Sequence, residues 1–355
     1  MLDAWGRPAY DRVVVVKGPQ TVLQGPGNSA ASVSFERSVK RFSDPGAVGT
    51  GSVLGGSFGR TDLVGDLRLG TPDVYGQLTG TRAESDDYTD GNGNEVHSRY
   101  LRWSGNAALG WTPDDRTRLE LSGALSDGEA AYADRAMDGV KFARDNLGLR
   151  FERQLAGPHV QAIEAQAYYN YVDHVMDNYS LREFAPSTTM PFQSVSNPDR
   201  ETTGGRFTAD LAFGERITAT VGVDLQENRH TLRSTMNESM MPYEAMQRAE
   251  DGRFRNAGVF GELTLAAGPS GRVITGLRID DWYAKDSRET LRVGMAAAPN
   301  PTADEERNAT LFGGFGRYER DLAAGPFTVF AGLGHVERFP DYWELLAAGK
   351  ETASS

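Results

Sequence analysis

Apolar and polar residues alternate with a period of two along most of the chain. In one segment every second position is apolar, at Ile217, Ala219, Val221, Val223 and Leu225. Polar side chains fill most of the positions between them, and the same pattern recurs at 119–125 and 257–265. Because successive side chains of a β-strand point to opposite faces, this period predicts strands with one apolar and one polar face. We count about thirteen such strands between Val48 and Arg338.

The connections between the predicted strands alternate in length. Short turns containing Gly, Pro or Asp are predicted at 71–73, 112–115, 155–158, 213–215, 267–271 and 323–326. Long polar connections lie between them, at 83–97, 128–140, 177–199, 231–251 and 286–304. A transmembrane β-barrel has short turns at one rim and longer loops at the other, with lipid outside and a polar lumen inside. The pattern therefore predicts an all-β chain that forms a transmembrane antiparallel β-barrel.

The barrel is expected to be partial. Plugged outer-membrane transporters have about 22 strands, so about 13 strands form only the first half or more of such a barrel. An open sheet in lipid would leave two edges of unpaired backbone groups, and each unpaired group costs several kcal/mol. We therefore interpret the chain as a fragment of a larger barrel.

Composition excludes several other classes of protein. The chain has 355 residues, with 41 Gly, 16 Pro and 39% hydrophobic residues. This hydrophobic fraction is too low for a large hydrophobic core in a chain of this length. No run approaches the ~20 apolar residues of a membrane helix, and the first residues lack the pattern of a signal peptide. The absence of Cys excludes disulfides and thiolate metal sites. The net charge of −12 disfavours phosphate backbones, so we expect no nucleic-acid partner.

The first forty residues have a different pattern. An apolar β run, Val13 to Val16, is followed by two Gly-Pro pairs, at Gly18-Pro19 and Gly25-Pro26, which predict turns. Asn28, Ser29 and Ala30 then form a small polar exit. Such a run also occurs in soluble α/β proteins, so its meaning depends on the strands that follow it.

Several runs resemble TonB-dependent outer-membrane receptors, and among these the copper receptor family. They are Tyr10 to Arg37, Tyr132 to Gly139, Tyr171 to Arg182, Asn197 to Arg200, Met240 to Glu244 and Arg338 to Pro340. The first run resembles the end of the plug domain of the superfamily. The element His174-Val175-Met176 is the one that indicates copper.

This resemblance implies a domain organisation, a cargo and a location. Residues 1–40 would be the C-terminal part of a plug domain, and residues 41–355 the N-terminal part of a barrel in the outer membrane of a Gram-negative bacterium. The receptor would import copper ions with energy from the TonB complex, whose contact segment would lie before Met1. Its outer surface would contact membrane lipid. Copper is then the cargo, and no cofactor is implied.

The alternation supports a metal site at His174 and Met176 independently. Both lie at even positions of their strand, as do the polar residues Glu164, Gln166 and Asn170, so both are expected to face the lumen. Thioether sulfur selects Cu(I), and imidazole suits copper in either oxidation state. On alternation alone, a rim histidine beside a gap-filling methionine is the simpler interpretation. The resemblance favours two metal ligands instead, and implies that a Cys and a Met of the plug, upstream of this segment, complete the site.

A methionine-rich loop is a second candidate. Met236, Met240, Met241 and Met246 lie in one predicted external loop, where thioethers could capture copper, or could simply pack over the barrel mouth. Met190 and His230 are weaker candidates for metal ligands. The remaining histidines, His97, His159 and His335, lie near strand ends without a second ligand at useful spacing and are expected to be structural.

No catalytic constellation is predicted, so we expect no enzyme activity. Ser57 lies in a nucleophile-like run, Gly55-Gly56-Ser57-Phe58-Gly59, but we expect it within a glycine-rich strand, whereas that chemistry needs a strand-to-helix turn. Two other functions stay open. A receptor for a metal chelate such as a siderophore would share the plug and barrel but bind through loop aromatics and arginines. A passive porin or adhesin barrel would lack a plug.

Overall fold

The computed structural model describes residues 12–18, 20–27, 30–36, 41–293, 296–323 and 325–346, and nearly all of their regular secondary structure is β-strand. The strands are β1 (Arg12–Lys17), β2 (Ala31–Glu36), β3 (Gly46–Gly55), β4 (Thr61–Gly70), β5 (Val74–Ser85), β6 (Tyr88–Thr89), β7 (Glu95–Val96), β8 (Tyr100–Asp114), β9 (Thr117–Ala130), β10 (Asp138–Gln154), β11 (Val160–Asp177), β12 (Val195–Phe213), β13 (Ile217–Thr235), β14 (Ala249–Ala266), β15 (Gly271–Asp286), β16 (Thr290–Val293), β17 (Ala296–Pro299), β18 (Glu306–Asp321) and β19 (Thr328–Val336). The helices are a 3₁₀ turn, Tyr243–Ala245, and α1, Tyr342–Leu345. Within these described ranges, no helix has the length and apolar character needed to span a membrane.

One antiparallel sheet contains thirteen strands in chain order, from β3 to β19, and the three short pairs β1–β2, β6–β7 and β16–β17 lie outside it. The predicted strand number is confirmed. Within the described part of the chain, β3 and β19 each pair with a single neighbour, so the barrel is partial and not closed. The two edges are where the remainder of a closed barrel would pair.

Short turns and long loops alternate as predicted, but the strands are longer than the sequence indicated. The predicted loop at 177–199 contracts to 178–194, and the one at 231–251 contracts to 236–248. Polar residues such as Asn197 and Thr231 continue the β ladder, because their backbones pair even where their side chains no longer alternate. The expectation for Ser57 is wrong in detail: it lies in the turn between β3 and β4, since β3 ends at Gly55.

The two faces of the sheet differ as the alternation predicts. Large apolar side chains are exposed on one face, including Leu225 at 60%, Val259 at 62% and Leu277 at 73%. The opposite face carries buried polar groups, among them Arg278, whose guanidinium donates to Asp280 at 2.8 Å and to Asp224 at 3.0 Å. Charged groups are retained only where partners satisfy them, so this second face is the lumenal one.

The segment between β1 and β2 packs against the lumenal face of the sheet. Val22 is buried among Phe260, Ile274 and Phe315, and the Thr21 hydroxyl donates to Glu262 at 2.7 Å. Gly18, Gly25 and Gly27 have positive φ, which places the turns where Gly-Pro pairs predicted them.

Part of the predicted plug segment falls outside the described residues. Pro19, Asn28, Ser29 and the domain boundary at residues 40 and 41 involve such positions, and the boundary stays a prediction. The apolar run itself is paired in β1 but is not buried, because Val13 and Val15 are 42% and 51% exposed.

Replacing Val223 by Arg tests which face meets the membrane. Val223 is 48% exposed on the apolar face of β13 and pairs with Val259 of β14. We expect Val223→Arg to destabilise the folded barrel by about 2–4 kcal/mol, because hydrocarbon cannot solvate the charge. The free energy of unfolding in phospholipid vesicles measures the change.

Thr220→Arg is the matched control, because Thr220 lies nearby on the lumenal face of the same strand. Its hydroxyl donates to Asp210 at 2.7 Å, and an arginine there can pair with the same carboxylate. We expect a change below about 1 kcal/mol. A greater loss of stability for Thr220→Arg than for Val223→Arg would contradict the assignment of the faces.

Candidate metal site at the lip of the sheet

His174 and Met176 lie near the loop end of β11 and project from the same face. The β11–β12 ladder keeps one register from Ala162 to Asp177, so no bulge reverses the alternation between them. Tyr168 shares this face, and its hydroxyl accepts a hydrogen bond from the lumenal Gln226 at 3.1 Å. The two candidate ligands therefore face the lumen, with α-carbons about 7 Å apart along the strand.

The site lies beyond the bilayer. β11 has 18 residues, whereas a tilted strand crosses the membrane in about 9–11 residues. Counted from the short turn that precedes β11, the membrane-spanning part ends near Asn170. His174 and Met176 are thus on the lip that extends from the membrane toward the long loops.

The His174 imidazole is half-buried and has an unsatisfied nitrogen. Its Nε2 atom is buried and has no hydrogen-bond partner among the described residues. The ring stacks on Phe142 of β10, with centroids 4.5 Å apart and planes inclined by 26°. Burial lowers the pKa of His174, and this keeps the imidazole neutral and able to bind a metal. A buried, neutral nitrogen without a hydrogen-bond partner is available to coordinate a metal ion.

A fully buried carboxylate anchors the strand opposite Met176. Met176 pairs with Gly139, the residue after Asp138, at the start of β10. Asp138 is 0% exposed, and it accepts hydrogen bonds from Arg182 Nε at 2.8 Å, His97 Nε2 at 2.9 Å and Tyr132 N at 2.9 Å. These donors come from three different connections, so one carboxylate holds three loops beside the site.

A second polar network holds His174 from the back of the sheet. Asp173 accepts from Lys141 at 2.8 Å, from Asn197 at 2.6 Å and from Arg248 at 2.9 Å. Arg248 also forms an ion pair with Asp199 at 2.9 Å. Asn197, which is 0% exposed, donates to the backbone oxygen of His174 at 3.1 Å. The network fixes the backbone at His174 and joins the end of the methionine-rich loop to β11.

The methionine-rich loop lies next to the loop between β11 and β12. The Glu238 amide donates to Gln193 O at 2.9 Å, and the Ser194 hydroxyl donates to Met236 O at 3.4 Å. Met240 is 80% exposed and Met241 is 49% exposed, whereas Met236 and Met246 are half-buried. The loop thus presents thioethers to the outside rather than burying all of them.

The weaker candidates are engaged in packing or hydrogen bonds. The Met190 sulfur lies 3.8 Å from Asn178 Nδ2, and His230 is buried in a parallel stack with Tyr342 at 4.1 Å. His159 stacks on Phe213, and His335 lies 3.3 Å from Glu337. Within the described ranges, no group of three or more His, Cys, Asp or Glu side chains is placed to hold a metal ion.

Sequence reasoning missed Phe142, although the hairpin register could have identified it. Residues of β10 and β11 pair outward from the short turn between Gln154 and Val160, and counting along both strands places Phe142 opposite His174. This pairing can be read from a short turn once the hairpin is recognised.

Comparisons with known proteins agree with this architecture. The family described as "TonB dependent receptor-like, beta-barrel" matches residues 79–354. A comparison with curated proteins gives no match. Among solved structures, the chain is similar to the copper transporter OprC, with 47% identity and a TM-score of 0.91, covering 95% of this chain and 52% of that one. The chain therefore spans about half the length of that transporter.

Two more distant structures show the fold alone. The hemophore receptor HasR of Serratia marcescens is 15% identical with a TM-score of 0.70, covering 92% of this chain and 51% of that chain. The ferric-catecholate import receptor Fiu of E. coli K12 is 12% identical with a TM-score of 0.67, covering 92% and 60%. With the family match extending over most of the sequence, the chain belongs to the TonB-dependent receptor β-barrel family.

Proposed function

We propose that this chain is part of an outer-membrane receptor that imports copper ions, and that it carries one half of the copper site. The proposal rests on one observation. A buried imidazole nitrogen of His174 has no hydrogen-bond partner among the described residues, and Met176 lies on the same lumenal face two residues away. The 47% identity to a copper transporter supports copper as the cargo. The hemophore receptor and the ferric-catecholate receptor are only 12–15% identical to this chain, so they give no support for a chelate as the cargo.

His174 and Met176 would form the fixed half of the copper site. Imidazole nitrogen and thioether sulfur together suit Cu(I), and two ligands alone would bind it weakly. The sequence contains no Cys, so this chain supplies no thiolate ligand, and the plug domain would supply the other half of the site. Copper bound between plug and wall would be released when the TonB complex pulls the plug and separates the two halves.

Location and partners follow from the same proposal. The receptor would lie in the outer membrane of a Gram-negative bacterium, with lipid against the exposed apolar face and the TonB complex as its energy source. It would act as a transporter without catalysing a chemical reaction.

Titration with Cu(I) tests the two proposed ligands. In the intact receptor, His174→Ala and Met176→Ala should each weaken Cu(I) binding at least about tenfold, because each removes one of few ligands. Competition against a Cu(I) chelator gives the affinity. His335→Ala is the matched control, because His335 is exposed and lies beside Glu337 rather than near the site. Unchanged affinity in both ligand variants, or import of a ferric chelate instead of copper, would overturn the proposal.

The methionine-rich loop is proposed to capture copper before it reaches His174. Replacing Met236, Met240, Met241 and Met246 together by Leu preserves apolar volume but removes four thioethers. We expect uptake to fall several-fold at limiting copper and to be unchanged at saturating copper, because only collection from dilute solution depends on the loop. Uptake of radioactive copper by cells at both concentrations measures this. Equal uptake by variant and wild type at limiting copper would show that the loop only packs over the mouth.

A further inference from the structure

Phe142 contacts His174 and also the residue that pairs with Met176 across the β10–β11 ladder. Its ring stacks on the imidazole of His174, its register partner. The same ring also lies over Gly139, the register partner of Met176. A β-carbon added at Gly139 would overlap Phe142 Cζ, so only glycine leaves room for the ring. One aromatic side chain thus covers the strand surface opposite both proposed ligands.

The backbone around Phe142 is irregular and is held by a carboxylate. The β9–β10 ladder is interrupted between Gly139 and Arg144, and the β10–β11 ladder shifts register between Gly139 and Lys141. In this gap the Phe142 amide donates to the side chain of Asp127 on β9, at 2.9 Å to Oδ1. The bulge therefore aims the Phe142 ring, as bulges beside functional sites commonly do.

The position of the ring has two chemical consequences for a bound ion. Stacking restricts rotation of the His174 imidazole, so its unpartnered Nε2 keeps one direction. The phenyl ring also offers no hydrogen bond and shields one face of the imidazole from water. An apolar surround controls how much water reaches a metal site and so which oxidation state it favours.

We propose that Phe142 is a specificity-determining residue, a dry aromatic wall that orients His174 and favours Cu(I) over Cu(II). This inference rests on the proposed copper site at His174 and Met176. Cu(I) is satisfied by a few soft ligands, whereas Cu(II) prefers a tetragonal set of nitrogen and oxygen ligands, which here would require added water. Excluding water at Phe142 penalises the second ion and leaves the first unaffected.

The test compares Cu(I) and Cu(II) affinities of the intact receptor by competition with chelators specific for each ion. Phe142→Leu should weaken Cu(I) binding about tenfold, as expected for loss of a residue that supports a ligand, and should weaken Cu(II) binding less. The ratio of the two affinities therefore falls. Phe142→Tyr, which keeps the ring, should retain the wild-type ratio. Phe207→Leu is the matched control, because Phe207 is exposed on the lipid face of β12.

Gly139→Ala supplies a second route to the same effect without altering either proposed ligand or Phe142. The added methyl group must displace the ring, so the affinity ratio should fall as it does in Phe142→Leu. In the double variant the two effects should not add, because leucine leaves space for the methyl group. Heat-modifiable migration on gels selects the folded receptor for every measurement.

The outcomes separate this inference from the proposed function. If His174→Ala abolishes Cu(I) binding but Phe142→Leu and Gly139→Ala both leave the affinity ratio at the wild-type value, the inference is overturned and the copper site stands. If Phe142→Leu weakens Cu(I) and Cu(II) equally and Phe142→Tyr does the same, the wall has no role in selectivity. If His174→Ala has no effect, the proposed function fails and this inference fails with it.

Discussion

A backbone that crosses hydrocarbon finds no water to satisfy its amides and carbonyls, and the rest of this structure depends on that constraint. Thirteen strands meet it by pairing in one antiparallel ladder in chain order. Once the ladder is fixed, alternate side chains must face lipid and lumen. This fixes both the apolar outer surface and the lumenal direction of His174 and Met176.

Outside the bilayer a different interaction takes over. The strands extend past the membrane, and there buried carboxylates hold the loops together by hydrogen bonds. Asp138 gathers donors from three connections, and Asp173 joins β10, β12 and the segment before β14. Each carboxylate is satisfied by several donors, so it stays ionised despite burial. The candidate metal site lies between these two networks, on a stretch of strand that they hold from both sides.

The sequence predicted most of the sheet but only part of the site. Period-two alternation and turn length identified the strands, their number and their faces, because hydrocarbon and lumen impose opposite side-chain requirements. The alternation made these strands too short at their loop ends. Near Asn197 and Thr231 the side chains belong to polar networks and no longer alternate. Phe142 was missed because its role comes from its pairing with His174 on the neighbouring strand, and alternation within one strand carries no such information.

X-ray absorption spectroscopy of the intact receptor loaded with Cu(I) tests the central claim most directly, because it identifies the atoms bound to the ion. If His174 and Met176 bind one copper ion together, the spectrum should show sulfur and imidazole scatterers around that ion. The imidazole component should be lost in His174→Ala. A shell of oxygen scatterers without sulfur, or an imidazole component that persists in that variant, would contradict it.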